Sequence, residues 1–341
     1  MSANLSAASG ASPLVAGGDD LSALAWVHEE LRRSLDAAHK ALRRFVKETE
    51  SLGASDLDAV DPVVLRTARS QIHQGVGALE LVGLPAVATV LRASEAAVHR
   101  YASRPHKLSL AVVEDIERAS FALLDFVARL LAGKPVSTLS LFPQYRAVQE
   151  AAGADRVHPA DLWPLDWQWR AVPADAGVAP RHPDVDSRSG LEAQLLNLMR
   201  NQAPAQAAAR MSDICAGLGA GAPEGSVGTL WTLASAMFEA QAHGLLGFDV
   251  FSKRVASRLL AQFRILERGG SDVSERLAQD LLFFCAQSES PGDGRKAPRL
   301  AAVRQVYGLA HHEPVDYAVS VLGRFDPAVI AQARKRVAAA K

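Results

Sequence analysis

Apolar residues return along the chain at steps of three and four, and turn signals cut the stripes they draw into separate segments. Leu24, Val27, Leu31, Leu35, Ala38, Leu42 and Phe45 form the first stripe, one apolar face along a helix of roughly seven turns. Glu29, Arg32, Arg33, Asp36, Lys40 and Arg43 fall on the remaining faces, as a solvated surface requires. A second stripe opens at Asp61-Pro62, an N-cap residue followed by proline, and runs through Leu65, Ala68, Ile72, Val76 and Leu79 to Gly83. The third starts at Pro85 and carries Val87, Val90, Leu91, Ala97 and Val98 before Arg104-Pro105 ends it. The fourth begins near Ser109, buries Val112, Ile116, Ala119, Leu123, Phe126 and Leu130, and stops at Gly133-Lys134-Pro135. Four antiparallel helices joined by short loops over residues 20–134 are the pattern of a four-helix bundle.

Residues 135–190 differ in kind. They hold seven prolines and three of the five tryptophans, and prolines at this density break helices. Trp163, Trp167 and Trp169 predict a strap packed on a domain surface, because exposed indole is costly. The alternative is that they form a partner-docking surface. The polar stretch 173–190 reads as a linker. Helical periodicity resumes over 191–201, 203–217, 227–246, 248–268, 273–288 and 300–309. The glycine-rich 217–228 lies between two of these and reads as a turn. No strand precedes it and no Gly-Lys-Ser/Thr follows, so it is not a phosphate loop. Past His311 the chain is briefly extended. Asp326-Pro327 then caps a last helix that meets the chain end without a stop signal, as expected of a sequence cut or diverged from a longer protein. The expected organisation is all-α: a disordered lead-in at 1–19, a bundle at 20–134, a strap and linker at 135–190, a second helical domain at 191–325 and a connector helix at 326–341.

Composition narrows the function. Lys+Arg and Asp+Glu balance at 37 each, so no global field draws the chain to nucleic acid or to anionic lipid. Cys215 and Cys285 lie in apolar helical segments without metal spacing, and read as buried free thiols. The first residues lack the basic start and apolar core of a secretion signal. The most apolar run, 121–133, is broken by Asp125 and Arg129, so direct membrane insertion is not expected. A cytoplasmic protein without cofactor or metal is the expectation.

One stretch carries candidate chemistry, RSQIHQGVGALELVGL on the second helix. His73 sits roughly 100° from the centre of the core stripe, on the shoulder of the helix. Gly77 is one turn further on, and Arg69 and Arg66 are one and two turns before, on nearly the same face. A phospho-accepting imidazole needs one ring nitrogen in solvent. A neighbouring glycine clears the approach, and nearby cations steady the phosphoryl charge.

This stretch resembles the histidine-phosphotransfer motif His-x-x-Lys-Gly-x-x-x-x-x-Gly, through His73, Gly77 and Gly83. Val76 stands where that family carries lysine. The segments LAWVHEELRRSLDAAHKALRRFV, HQGVGALELVGL and LAGKPVSTLSLFPQYRAVQEAAGADRVHPADLW resemble the N-terminal module of CheA-like hybrid histidine kinases of the Pil–Chp type IV pilus system. The second block, ending LGRFDPAVIAQARKRVAAAK, resembles the second domain of FimL-type scaffold proteins and the connector helix after it. The resemblance implies a phospho-acceptor at His73, supported by Arg66, Arg69, Gln74, Gly77 and Gly83. It also implies partners among response-regulator receiver domains or other chemosensory and pilus regulators. No kinase ATP-binding core is recognisable, so catalysis is not expected.

Two readings follow: a non-catalytic scaffold on a degenerate phosphotransfer bundle, resting on Val76 and the missing kinase core, or an active relay domain accepting phosphate on His73. The other chemistry-bearing residues read as structural. His28, His39, His99 and His106 are scattered surface or packing residues, and His311-His312-Glu313 is poor chelating geometry. Asp161 and Asp166 flank the tryptophans without an accompanying nucleophile, and Arg334-Lys335-Arg336 reads as a solvated face.

Overall fold

The computed structural model describes residues 18–51, 61–173, 177–291, 296–323, 332–333 and 336–338. The expectations for residues 1–17 of the lead-in, for the Asp326-Pro327 cap and for Arg334 and Lys335 lie outside them, while residues 18–19, expected in the disordered lead-in, are helical. The described residues form eleven α-helices between Gly18 and Val306, three short 3-10 turns and no strand, with further helical residues at 332–333 and 336–338. They divide into two compact units, one from 13–164 with 315–341, the other from 165–314.

The first unit is built on α1 (Gly18–Glu50), α2 (Val63–Leu81), α3 (Pro85–Ala102) and α4 (Leu110–Leu131). Polar pairs between neighbours give the directions. Ser34 meets Gln71, and Leu31 faces Gly75, so α1 and α2 run oppositely. His73 meets Glu95 while Arg69 meets His99, so α2 and α3 do too. Arg43 meets Glu117 and His39 meets Ser120, which opposes α1 and α4. Every residue of the expected first stripe and Leu65 to Leu79 of the second are buried, whereas Gly83 is exposed and α4 turns Val113 rather than Val112 fully inward. The start of α2 is displaced by one residue: Asp61 accepts the Val63 N–H at 2.9 Å, and the helix begins at Val63.

A further helix, α5 (Phe142–Ala152), lies in the stretch whose prolines predicted irregular chain. Pro143 falls in its first turn, where its missing N–H costs nothing. Gly153, with φ +70°, ends it. Phe142, Tyr145 and Val148 turn one face inward, and α5 packs on α3 and α4. Pro159 likewise opens a 3-10 turn, Pro159–Leu162, capped by His158 and Asp161.

The second unit holds α6 (Val185–Met199), α7 (Pro204–Gly221), α8 (Ser226–Ala242), α9 (Val250–Glu267), α10 (Glu275–Ala286) and α11 (Pro298–Val306). Helix α6 starts six residues before the apolar pattern does, because the Asp184 carboxylate accepts the Ser187 N–H at 2.8 Å and caps it. Helix α8 is apolar on nearly all sides and forms the centre, packed by α7, α10 and α11. Trp231, Phe238, Phe263, Phe283 and Phe284 fill the core around it. Cys215 and Cys285 are both fully buried free thiols, and burial pushes the Cys285 thiol up to about 12.

The glycine-rich stretch after residue 216 is not wholly a turn. Gly217, Gly219 and Gly221 lie in the last turns of α7. The extended chain before α6 crosses them, with the Arg181 N–H donating to Gly217 O at 2.8 Å. A Cβ at Gly221 would collide with the Arg181 carbonyl, so these glycines serve close backbone approach. The buried Arg304 ties down the other end of the unit. Its guanidinium donates to the carbonyls of Cys285, Ala286, Ser288 and His312 at 2.7–3.2 Å, satisfying acceptors at the C-terminus of α10. No helix among the described residues is long and apolar enough to cross a membrane.

Candidate functional site

The rotation of α2 about its own axis decides what the candidate site contains. Leu65, Ala68, Ile72, Gly75, Val76 and Leu79 are its buried residues. Gly75 lets the neighbouring helices close in: a Cβ there would stand 2.7 Å from a Leu31 methyl and 2.9 Å from a Leu91 methyl. With that face inward, Val76 is 4% exposed and belongs to the core, while the His73 side chain is 70% exposed. The position of the motif's lysine, Val76, therefore faces the interior.

His73 is held by α3. Its Nδ1 lies 3.0 Å from Glu95 Oε2, and a carboxylate can only accept, so Nδ1 carries the proton. When the ring is neutral, the Nε2 lone pair is left on its exposed side. The other Glu95 oxygen takes Arg69 Nε at 3.0 Å and Arg69 Nη2 at 2.9 Å. Arg69 Nη1 also lies 3.3 Å from His99 Nδ1, which must accept from a guanidinium. The Glu95 side chain is only 15% exposed. Burial alone would push its carboxyl up, but hydrogen bonds from His73 and Arg69, and their charge, hold it below the usual carboxylate range.

The remaining predicted residues separate into two kinds. Arg66 and Gln74 are exposed on α2 beside His73. At Gly77 an added Cβ would meet nothing within 4 Å, so this glycine leaves open space beside the imidazole. Gly83 is a cap. With φ +75° it donates to Glu80 O at 3.0 Å, and Leu84 N–H reaches Leu79 O at 2.9 Å, the bonding of a Schellman motif.

Sequence reasoning did not single out Glu95 and read His99 as a surface or packing residue. They are four apart on α3, as Arg69 and His73 are on α2, so each pair shares a helix face. Those two matching pairs were the available signal.

Trp163 belongs to the first unit, Trp167 and Trp169 to the second, and all three are only partly exposed. Trp167 stacks on Tyr307 with ring centroids 6.0 Å apart and meets Trp169 edge-on at 5.1 Å. The Arg170 guanidinium lies 5.6 Å from the Tyr307 ring centroid. Asp161 and Asp166 also fall in different units, and Asp161 pairs with Arg156. His28 reaches Leu124 O, and His39 is buried against Ser120. Among the described residues no group of three or more His, Cys, Asp or Glu side chains is arranged to hold a metal ion.

Two substitutions separate the roles of the paired glycines. Gly77→Ala is expected to stabilise the bundle by about 0.5–1 kcal/mol, the helix-propensity gain of alanine in open space. Gly75→Ala is expected to destabilise it by about 1–3 kcal/mol through overpacking against Leu31 and Leu91. Urea denaturation of both variants checks the pair, and equal effects would refute the assignment. The depressed Glu95 carboxyl has its own signature. Its stabilisation is present above the ordinary carboxylate range and is lost as pH falls through its lowered value. Glu95→Gln should therefore be less stable than the parent near neutral pH, with the gap closing in acid.

Residues 177–320 match the family model described as FimL scaffold protein second domain. No curated protein and no solved structure matches the chain. The matched span opens in the extended chain that crosses the α7 glycines, contains all of α6–α11 and ends within 315–323. This second helical region is thus similar to the second domain of FimL-type scaffold proteins.

Proposed function

We propose that this chain is a non-catalytic scaffold of a type IV pilus chemosensory pathway, working in the cytoplasm and docking regulatory proteins on a degenerate phosphotransfer bundle. The match of 177–320 to a scaffold-protein domain carries the reading. The α2–α3 face supports it. A core valine replaces the family's cation, and Arg69 is already paired with Glu95. A phosphoryl group on Nε2 would have Glu95 on the far side of the ring and Arg66 as the exposed cation on the same face. Receiver domains of response regulators, or other chemosensory and pilus regulators, are the proposed partners, and no enzymatic activity is assigned.

A second reading has its own support. An exposed imidazole whose Nδ1 is fixed by a carboxylate presents Nε2 as a nucleophile, beside the open space at Gly77. That is the chemistry of a relay histidine accepting phosphate from an aspartyl phosphate.

The two readings part in one experiment. The chain is mixed with receiver domains of the pathway, first carrying radiolabelled phosphate and then unlabelled in a binding assay. The scaffold reading expects binding without label on the chain, and unchanged results for His73→Gln. Label that moves to the chain and vanishes in His73→Gln would replace it with the relay reading.

A further inference from the structure

The first unit is discontinuous in sequence. The chain leaves it after residue 164, folds the second unit, and returns at residue 315. The returning segment, 315–323, contains no helix or strand. It is anchored at two places on α4 and α5. The Tyr317 ring meets Phe142 edge-on with centroids 6.0 Å apart. Five residues on, Leu322 is 1% exposed, and its carbonyl accepts from Gln144 Nε2 at 3.1 Å. Gly323 follows with φ +65°, packed so close to α4 that a Cβ would lie 2.6–2.8 Å from Ala122 N, Cα and Cβ. No residue with a side chain fits at that point. The surface of α4 and α5 is therefore shaped for an extended segment that reads Tyr, four residues, Leu-Gly.

Between the anchors the segment is bonded to itself. Ala318 N–H donates to Asp316 Oδ1 at 2.9 Å, and Leu322 N–H to Ser320 Oγ at 3.1 Å. Val319 and Val321 face solvent. Helices α1–α4 carry a buried core of their own, so the bundle does not depend on the segment for its interior. All of its residues but Leu322 are exposed or half-buried, as in an element that opens before the rest of the fold.

We propose that 315–323 is a releasable strap, occupying a groove on α4 and α5 that accepts the same segment when it is offered in trans. Docked, it anchors the second of the two chain connections to the 165–314 unit on the bundle. Released, it leaves the groove on α4 and α5 open. A tethered segment acts at an effective concentration in the millimolar range, so the intact chain excludes a free copy. This inference does not rest on any role for His73.

The test uses the full chain and a fluorescein-labelled peptide of residues 313–323, followed by fluorescence anisotropy. The double variant Leu322→Asp/Gly323→Val, which cannot seat its own strap, should bind the peptide about ten-fold or more tightly than the parent chain does. A peptide carrying Leu322→Asp should bind neither. Equal binding to parent and variant, or no binding to a variant with the parent's helical circular dichroism, overturns the proposal. Hydrogen exchange on the parent chain decides independently of whether the variant folds. Amides of 315–323 should be protected, yet exchange faster than those of α4. Protection equal to that of α4, or none, overturns it.

Discussion

The close approach of α1 and α3 to α2 at Gly75 is the constraint on which the candidate site depends. Leu31 and Leu91 occupy the space a side chain would take, and this fixes the rotation of α2. From that single angle follow the burial of Val76, the exposure of His73 and the placement of Arg69 opposite Glu95. Interiors packed to this density do not adjust continuously. The exposed face that carries His73 is therefore set by core packing on the far side of the same helix.

That face is organised but nearly balanced in charge. Glu95 orients His73 and at the same time neutralises Arg69. Arg66 remains as an exposed cation two turns before the ring, and Gly77 keeps the approach open. Such a surface suits recognition by shape and hydrogen bonding more than stabilisation of a doubly charged group, for which convergent cations are the usual device. The 165–314 unit is covered for most of its length by the match to a scaffold-protein domain.

Much of the helical architecture was legible because apolar residues at steps of three and four admit one solution. Leu24 to Phe45 and Leu65 to Leu79 are buried as the stripes required. Helix α5 was hidden by the prolines around it. Pro143 lies in a first turn, where proline is tolerated, and composition alone does not distinguish that position from a break. The glycines at 217–221 were misread for a related reason: a glycine needed for close backbone approach looks in sequence like one needed for a turn. At the site, the shoulder position of His73 came from periodicity. Its partner Glu95 lies 22 residues away, and pairing the two required the register between α2 and α3, which no local pattern contains.

The central claim is that α3 holds His73 through Glu95 in one tautomer, with Nε2 open to a partner. Long-range proton–nitrogen correlation NMR of the imidazole, at a pH where the ring is neutral, reads this directly. The account predicts a proton on Nδ1 and an unprotonated Nε2 in the parent chain, and a loss of that preference in Glu95→Ala. A neutral ring protonated at Nε2, or a parent and variant with the same tautomer ratio, would contradict it.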